Sequence, residues 1–409
     1  MKLRVIWAIL FFLFIIIPSA YPQDSKFIPF GYLEVLGTYS DIKDGSHLWG
    51  YNIFGYYSPT LKINDSLYLI PLYTVEYKRL RQFISQEEGT LLYNTYMAHN
   101  FNLALRKEFK EGWFLRFAAL GTWNYVKETR DESWGEGLYD YRDVGCSLKL
   151  RRRKRAAEDL RNYTFGFEYF RRIYPNFQSL ISIGMPSAPE TNEKDFDGFK
   201  LSFSFDKINS RNQRVYLKPY LLFKVYLDKH LIRQDGTLDI YNKREDRLFN
   251  LDYGFKTPLN KSFYFGMDNN YTYNYSNLGF YDSKNTLGLG DDAYLKHYYS
   301  YHSASASPYI EYIHRLDEGK EARLKLGYSI LLRYYPHRKA QNANAVYGDD
   351  NEEDLEQMLY TSFSWPLTKS VNLLLRYSYT WARSNQEYEE YYRYNYDTYR
   401  ISSGLSFEF

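Results

Sequence analysis

Apolar and polar side chains alternate one by one through much of this chain. Between Phe199 and Phe205, every second side chain is phenylalanine or leucine, and the side chains between them are lysine and serine. The same period of two recurs over residues 322–335 and 371–383. Successive residues of a β-strand point to opposite faces, whereas a helix would spread this pattern around its axis. The pattern predicts an all-β protein whose strands each have one apolar and one polar face.

Sixteen segments with strand character follow one another after residue 30. They are residues 31–40, 48–58, 67–79, 94–109, 113–127, 139–151, 162–174, 198–206, 214–228, 247–256, 263–275, 297–315, 322–335, 357–365, 371–383 and 396–409. Pro71, Pro219 and Pro308 fall inside these segments, where a proline removes one donor from the ladder. Fourteen or eighteen strands therefore remain alternatives to sixteen.

The connections between these segments alternate in length. Turns such as residues 110–112 and 317–319 are short, whereas residues 80–93, 276–296 and 336–356 are long and polar. Transmembrane antiparallel β-barrels have short periplasmic turns at one end and long extracellular loops at the other. The alternation predicts such a barrel. An even strand number follows, because both chain ends then lie on the periplasmic side.

Two connections fit the alternation poorly. Residues 41–46 form a short connection where a long outer loop is expected, and residues 151–162 form a long one where a turn is expected. Arg151 to Arg161 also have a helix-forming composition. The remainder of the chain shows no internal repeat and no separate soluble domain.

The N-terminus has the pattern of a secretory signal peptide. Lys2 and Arg4 precede an apolar run over residues 5–17, and small residues follow it. The run is too short for a membrane-spanning helix, which needs about 20 apolar residues. We expect a signal peptide over residues 1–23, cleaved between residues 20 and 23, and a single barrel over residues 24–409. Besides a helix, a closed β-barrel is the structure that satisfies all backbone hydrogen bonds within a bilayer.

The last residues alternate in the same way and end on an aromatic side chain. Ser402 and Gly404 are followed by Phe407 and the terminal Phe409. This pattern resembles the C-terminal β-signal of bacterial outer-membrane barrel proteins. The resemblance covers eight residues and implies recognition by the barrel-assembly machinery. It implies location in the cell outer membrane, in contact with lipid and lipopolysaccharide, and does not imply a substrate.

Composition supports a barrel over two or three soluble domains. The 409 residues include 46 tyrosines, and aromatic residues make up 20% of the chain, yet the mean hydropathy is negative. Membrane barrels combine these properties because half of each strand faces a polar interior. A net charge of +3 gives no reason to expect nucleic acid as a partner. Cys146 is the only cysteine, which excludes an internal disulfide and a cysteine-based metal cluster.

Sorting the predicted strands by face leaves an inner wall rich in charge. The side chains that we expect to line a pore are Arg106, Arg116, Arg142, Lys200, Lys218, Lys224, Lys325, Arg333, Arg376, Arg400, Glu168 and Glu311. Lys149 and Glu34 are assigned to the same face. Charged side chains that line a pore bias permeation by sign, so we expect a porin-like channel for small polar or anionic solutes. The alternative role of these charges is cross-strand ion pairing that only maintains a polar interior.

Two other functions fit a barrel of this size. Tyr216, Tyr220 and Tyr226 share an inward face and would offer a stacking track suited to the passage of saccharides. A barrel that exports a polysaccharide or similar polymer is one of these alternatives, and it would need a periplasmic partner. The long loops would instead form the binding surface of an adhesin or structural barrel. Residues 174–197 form the loop that we expect to fold into the lumen. A homo-oligomer is a further expectation.

Catalytic and metal-binding signals are weak. His302 and Ser300 share a predicted strand face, but seven histidines among many serines produce such a pair by chance. No nucleophile elbow, zinc-binding helix motif or phosphate-binding loop occurs. The acids over residues 349–354 lack the glycine and distal glutamate of a calcium loop, which favours a solvated outer loop. We expect no enzyme activity, no metal and no cofactor.

Overall fold

The computed structural model describes residues 26–43, 48–79, 82–86, 89–93, 95–127, 132–156, 159–177, 192–282, 293–389 and 394–409. The predicted signal peptide, residues 1–23, lies outside these residues. Among them, no helix is long and apolar enough to cross a membrane.

Sixteen strands run antiparallel to their neighbours around one sheet. They are β1 (Gly31–Ile42), β2 (Leu48–Tyr57), β3 (Leu67–Lys78), β4 (Thr95–Glu108), β5 (Trp113–Lys127), β6 (Tyr141–Ala156), β7 (Asp159–Ile173), β8 (Phe196–Ile208), β9 (Arg214–Ile232), β10 (Leu238–Pro258), β11 (Phe263–Ser276), β12 (Tyr301–Arg315), β13 (Glu321–Gln341), β14 (Tyr347–Pro366), β15 (Val371–Ser384) and β16 (Tyr396–Glu408). Two short strands of the same sheet, Phe27–Ile28 and Thr60–Asn64, pair with each other, and the second also pairs with β3.

The first and last strands close the sheet into a barrel. β1 and β16 pair along their length, from Tyr32 opposite Glu408 onward. The backbones of Gly31 and Phe409 exchange two hydrogen bonds, of 2.7 and 3.1 Å. Closure removes the free edges of the sheet, so that each strand has two neighbours. The prediction of an antiparallel barrel with sixteen strands is confirmed.

The residues of the C-terminal pattern lie on this closing seam. Glycine is required at position 404, because a Cβ atom there would overlap the carbonyl oxygen of Val35. The hydroxyl of Ser402 lies 3.0 Å from that of Thr38, and both side chains are buried. Phe407 and Phe409 lie opposite Leu33 and Gly31. The pattern therefore has a packing role in closure, and its role as an insertion signal stays a prediction.

Apolar side chains cover the outer face of the barrel. Leu105 on β4 is 42% exposed and Phe117 on β5 is 53% exposed. Arg106 and Arg116, their neighbours in sequence, point to the inside because strand residues alternate between faces. Membrane barrels present an outer face of this kind to lipid.

Short turns join the strands at one end of the barrel, where both described chain ends also lie. Residues 109–112, 209–213 and 259–262 are examples. Residues 151–156 and 159–162, which have a helix-like composition, do not form a helix. β6 continues to Ala156 and β7 begins at Asp159, and these two residues pair with each other. Cross-strand pairing outweighs helix propensity here.

Two pairs of strands extend beyond the other end of the barrel. β8 and β11 pair with β9 and β10 only as far as Tyr226 and Asp246, and beyond them residues 227–245 form a two-stranded ribbon. Residues 335–353 of β13 and β14 form another. We call them the first ribbon and the second ribbon. Residues 229–245 and 336–353 of these ribbons fall within predicted loops, because their polar composition lacks the apolar face of a wall strand.

The three prolines inside strands lie at interruptions of the ladder. Pro219 pairs with Leu251 of β10, but the pairing of β9 with β8 is broken beside it. Pro308 pairs with Met267 of β11, and the pairing of β12 with β13 is broken beside it. Each proline lacks a backbone N–H donor, and the ladder is interrupted toward only one of its two neighbouring strands.

Candidate functional site

Eleven of the twelve side chains that we expect to line a pore point to the inside of the barrel. Each is next in sequence to an apolar side chain that is exposed on the outer face. They are Arg106, Arg116, Lys200, Lys218, Lys224, Lys325, Arg333, Arg376, Arg400, Glu168 and Glu311. Lys149 and Glu34 point inward as well. The role of these side chains in permeation stays a prediction.

Arg142 lies on the outer face instead. It has the same parity on β6 as Val144, which is 64% exposed, and it pairs with Trp123 and Ile173 on the neighbouring strands. Lys149 is an odd number of residues away and therefore points to the opposite face. The assignment of Arg142 to the pore lining does not agree with the register of β6.

Some inward cations are neutralised by a carboxylate on a nearby strand. Arg376 of β15 reaches across β16 and donates two hydrogen bonds, of 2.8 and 2.7 Å, to Glu34 of β1. Lys256 of β10 forms an ion pair with Glu311 of β12. Such paired charges fix the wall and present little net charge to a passing ion.

Three cations form a row across three neighbouring strands. Arg106 on β4 lies directly opposite Arg116 on β5, and Arg116 lies opposite Lys149 on β6. Directly opposed side chains have Cβ atoms about 5 Å apart, where like charges repel. Arg106 forms an ion pair with Glu108. Within the described residues, Arg116 and Lys149 form no ion pair with an acid.

Two further cations extend this row. Lys149 interacts electrostatically with Glu168 of β7, and also with Arg116 and with Lys200 of β8. Arg151 follows Lys149 on the inner face of β6 and donates a hydrogen bond of 2.9 Å to Asn162. Glu168 lies opposite Lys200 and supplies one carboxylate. We call Arg106, Arg116, Lys149, Arg151 and Lys200 the basic patch.

Neutral groups support much of the basic patch. Arg116 donates a hydrogen bond of 3.1 Å to the side chain of Asn102. The aliphatic part of Lys149 lies across Gly166, where a Cβ atom would come within 3.4 Å of Lys149 Cγ. The Nε atoms of Arg106 and Arg116 are buried without an acceptor in the described structure. The two guanidinium groups therefore retain unused hydrogen-bonding capacity.

Another part of the wall combines tyrosine rings with lysine. Tyr309 of β12 lies against Gly266 of β11, and Tyr360 of β14 lies against Gly327 of β13. The ammonium group of Lys325 lies 3.6 Å from the centre of the Tyr309 ring. Glycine allows each ring to approach the neighbouring backbone closely. The rings therefore cover the wall, and the contact with Lys325 adds a cation–π interaction.

The three tyrosines considered for a stacking track are each covered by a cation. Lys218 lies 4.9 Å from the Tyr216 ring, Lys200 lies 4.2 Å from the Tyr220 ring and Arg244 lies 4.5 Å from the Tyr226 ring. A ring face in contact with a cation is not free to stack on a sugar. The arrangement does not favour a sugar track on β9.

The loop that joins β11 and β12 packs between the two ribbons. Residues 277–282 and 293–300 of this loop are described. The backbone N–H of Glu245, on the first ribbon, donates a hydrogen bond of 2.8 Å to the Asn277 side chain. Tyr347, on the second ribbon, donates one of 2.8 Å to Asp282. We call residues 277–282 and 293–300 the mouth loop.

Tyr298 of the mouth loop covers a buried ion pair of the second ribbon. Arg338 lies 3.3 Å from Glu352, and both side chains are almost fully buried. The rings of Tyr298 and Tyr335 lie 4.2 and 4.0 Å from the guanidinium group. Burial raises the pKa of the Tyr298 hydroxyl, which therefore stays protonated at neutral pH.

Tyr299 covers a second buried pair, on the first ribbon. Arg244 donates hydrogen bonds of 3.0 and 2.8 Å to Asp246, and these side chains are 1% and 0% exposed. The rings of Tyr226 and Tyr299 lie 4.5 and 4.8 Å from the guanidinium group. Arg244 has the parity of the inward residues of β10. The mouth loop therefore lies on the inner side of the ribbons, over one end of the lumen.

The loop at residues 174–197 and the acidic segment at residues 349–354 are the other two predicted features at this end of the barrel. The loop at residues 174–197 is described only at its two ends, so its predicted position in the lumen falls outside the described residues. The acids over residues 349–354 belong to β14 and alternate between its faces, and Glu352 is the partner of Arg338. Among the described residues, no group of three or more acids, histidines or cysteines converges on a metal position.

Ser300 and His302 have separate partners. The hydroxyl of Ser300 accepts a hydrogen bond of 3.0 Å from the backbone N–H of Ser276 and is buried by the mouth loop. Nδ1 of His302 lies 2.9 Å from the hydroxyl of Tyr271 on the outer face. The geometry of these two residues is that of packing contacts and does not form a nucleophile–base pair.

The alternation of apolar and polar residues does not mark the two buried arginine pairs or the two tyrosines that cover them. Arg338 and Tyr298 are forty positions apart and lie in segments that read as polar loops. One usable signal is the pair of adjacent tyrosines at positions 298 and 299, because aromatic residues are unusual in a fully solvated loop.

Comparison with solved structures returns bacterial outer-membrane barrels. OmpT of Vibrio cholerae is 10% identical over 95% of this chain and 100% of its own, with a TM-score of 0.45. OccK8 of Pseudomonas aeruginosa is 8% identical over 95% and 100%, with a TM-score of 0.41. CdiB of Acinetobacter baumannii is 12% identical over 94% and 60%, with a TM-score of 0.46. No protein-family model and no curated protein matches the chain. These values carry no argument about family or function.

Proposed function

We propose that this protein is an outer-membrane pore for small polar solutes that favours anions. The observation that carries the proposal is the basic patch, in which Arg116 and Lys149 oppose each other without an acid between them. Like charges placed directly opposite each other destabilise a sheet. Water or a passing anion in the lumen would offset this repulsion, and the patch would in turn concentrate anions.

The mouth loop would limit access from the side of the long loops. Tyr299 and Tyr298 of this loop contact the buried pairs Arg244–Asp246 and Arg338–Glu352, so this part of the loop is anchored on two sides. Barrels of sixteen to eighteen strands are wide enough for an aqueous channel. A loop over the mouth of such a channel would set the size of the solutes that pass.

Reconstitution tests this function directly. The refolded protein is inserted into planar bilayers and liposomes, with measurement of conductance and of swelling in sugars and amino acids. The proposal expects stepwise conductance and swelling rates that fall with solute size. A refolded barrel that passes neither ions nor sugars would contradict it.

The same proposal includes the membrane around the barrel and the route by which the protein reaches it. Its apolar outer face would contact outer-membrane lipid, and Arg142 and Arg247, which point outward near the long-loop end, would meet phosphates of lipopolysaccharide. We also propose insertion by the barrel-assembly machinery through the C-terminal strand, export by a cleaved signal peptide and a role without enzyme activity. Association into a homo-oligomer stays a prediction.

A surface-binding function is the second candidate. The first ribbon carries Ile240 and Tyr241, which are 67% and 84% exposed near its tip. Exposed apolar side chains on a projecting element suit a contact with another molecule. A pure adhesin with a closed lumen would show no conductance in the reconstitution experiment, which separates it from the pore. No described feature favours polymer export over these two functions.

A further inference from the structure

The basic patch has the composition of a binding site for one ligand class. Its cationic heads belong to three arginines and two lysines. Glu108 pairs with Arg106 and Glu168 lies opposite Lys200, whereas the groups that contact Arg116 and Lys149, such as the Asn102 side chain, are neutral. Arginine and lysine only donate hydrogen bonds. A ligand held here must therefore supply acceptors and negative charge, and must supply several of each.

The spacing of the cations further restricts the class of ligand that fits the basic patch. Arg106, Arg116 and Lys149 occupy consecutive positions of one cross-strand row, so their Cβ atoms span about 10 Å. Arg116 leans toward Asn102 and Lys149 lies across Gly166, and a change of rotamer in each side chain would direct both heads to one small anion between them. A planar guanidinium forms two parallel hydrogen bonds to a phosphate, and an ammonium adds a point charge. A single chloride ion would offset one charge only.

Two side chains converge on the glycine beside this row. The next position after Lys149 is Gly166, and then Ser202. Lys149 lies across Gly166, and Ser202 Oγ would contact a Cβ atom placed there. The absence of a side chain at position 166 therefore brings Lys149 against the wall and leaves the hydroxyl of Ser202 at the edge of the basic patch.

We propose that the basic patch is a binding subsite for a multiply charged oxyanion of the phosphate type, with Arg116 and Lys149 as its principal contacts. Arg106, Lys200 and the hydroxyl of Ser202 complete the surroundings. This inference rests on the proposed pore, because the ligand reaches the patch through the lumen. The shared chemistry is a phosphate group, whether in inorganic phosphate or in a phosphate monoester.

Block of chloride current is the first readout. Single-channel current is recorded in potassium chloride while inorganic phosphate, sulfate or glycerol phosphate is added at millimolar concentration. We expect each divalent oxyanion to reduce the current, and acetate, with one charge, to have little effect. Block by inorganic phosphate alone assigns the site to the free ion, and block by glycerol phosphate as well extends it to monoesters. Equal effects of sulfate and acetate would overturn the inference and leave the pore itself intact.

Substitutions locate the site. Arg116→Gln and Lys149→Gln are each expected to weaken the block about tenfold, since each removes a charge-assisted contact to the anion. Lys149→Arg should retain the block. Arg142→Gln is the matched control, because it removes one positive charge from the outer face of the same strand as Lys149. Block that is unchanged in both Gln variants of the patch would overturn the assignment.

A binding measurement keeps the test decisive if the barrel passes no current. Inorganic phosphate is titrated into refolded protein in detergent by calorimetry, with the same variants. Saturable binding that is lost in Lys149→Gln and retained in Lys149→Arg supports the subsite even where the pore proposal fails. Resistance to unfolding in cold detergent shows that the barrel is folded. An absence of saturable phosphate binding to such folded wild-type protein would overturn the subsite.

Discussion

Arg116 and Lys149 lie directly opposite each other on β5 and β6, and both point to the inside of the barrel. The electrostatic repulsion between them is not offset by an ion pair in the described residues, although ion pairs form elsewhere on the wall, as between Arg376 and Glu34. A wall built only for stability would be expected to oppose unlike charges at such positions. The arrangement therefore supports a role for the patch in attracting anions.

The face on which a charge lies should decide its effect on permeation. Lys149→Gln is expected to lower the preference of the pore for chloride over potassium, whereas Arg142→Gln should leave it unchanged. Both variants lose one charge from β6, so net charge is matched. Ion preference is measured from the reversal potential in a salt gradient. An equal effect of the two variants would mean that the surface charge of the whole barrel, and not its lining, sets selectivity.

Ionic strength should weaken this preference. The Debye length is about 10 Å at 0.1 M salt and about 3 Å at 1 M, so mobile ions screen the patch at high concentration. We expect the permeability ratio of chloride to potassium to fall toward one between these concentrations. The measurement is a series of reversal potentials at a constant concentration ratio. A ratio independent of salt would indicate selection by size at the mouth.

The mouth loop should restrict conductance. Tyr298→Ala removes the ring that covers Arg338 and is expected to release this part of the loop, which raises the single-channel conductance and its noise. Tyr334→Ala is the control, because Tyr334 is on the same strand as Arg338 but points outward. Conductance that is the same in both variants would show that the mouth loop does not border the ion path.

The buried pair of the second ribbon should be sensitive to loss of one partner. Glu352→Gln leaves the Arg338 charge buried without a counter-ion, which costs about 3–5 kcal/mol when such a pair is broken. Because the ribbon projects beyond the barrel, we expect this cost to appear as local opening. Protease cleavage near the ribbon should become faster, while the unfolding midpoint of the barrel changes little. A variant with wild-type protease resistance would contradict this account of the ribbon.

The closing seam should tolerate a side chain at one glycine and not at another. Gly404→Ala places a Cβ atom onto the carbonyl oxygen of Val35, and we expect a loss of about 1–3 kcal/mol, as for other overpacked positions. In Gly37→Ala the nearest atom, the carbonyl oxygen of Ser403, is 3.8 Å away. Urea unfolding in detergent compares the two. Equal stability would show that the seam relaxes around residue 404.

The wall strands are predictable from sequence because lipid and lumen impose opposite requirements on alternate residues. β8 and β15 show this pattern clearly, and their observed bounds differ from the predicted ones by two residues or fewer. The ribbons lie beyond the apolar belt, where no such requirement acts. Residues 238–246 and 347–356 therefore read as loops although they are strands.

The face on which a lining side chain lies can be predicted wherever the alternation along its strand is regular. Ten of the cations assigned to it are on strands whose alternation is continuous, and one miscount on β6 places Arg142 on the wrong face. Which charges are neutralised is not predictable, because Arg376 and Glu34 are separated by 342 positions and meet only through closure. The same holds for Tyr298 on Arg338, which depends on where the mouth loop packs.

The reversal potential of the wild-type pore tests the central claim most directly. With a tenfold gradient of potassium chloride at low salt, an anion-favouring pore makes the dilute side negative, because chloride crosses more readily than potassium. We predict this sign, and a smaller potential of the same sign after Lys149→Gln. A dilute side that becomes positive would contradict the account, since cations would then pass the basic patch more readily than anions.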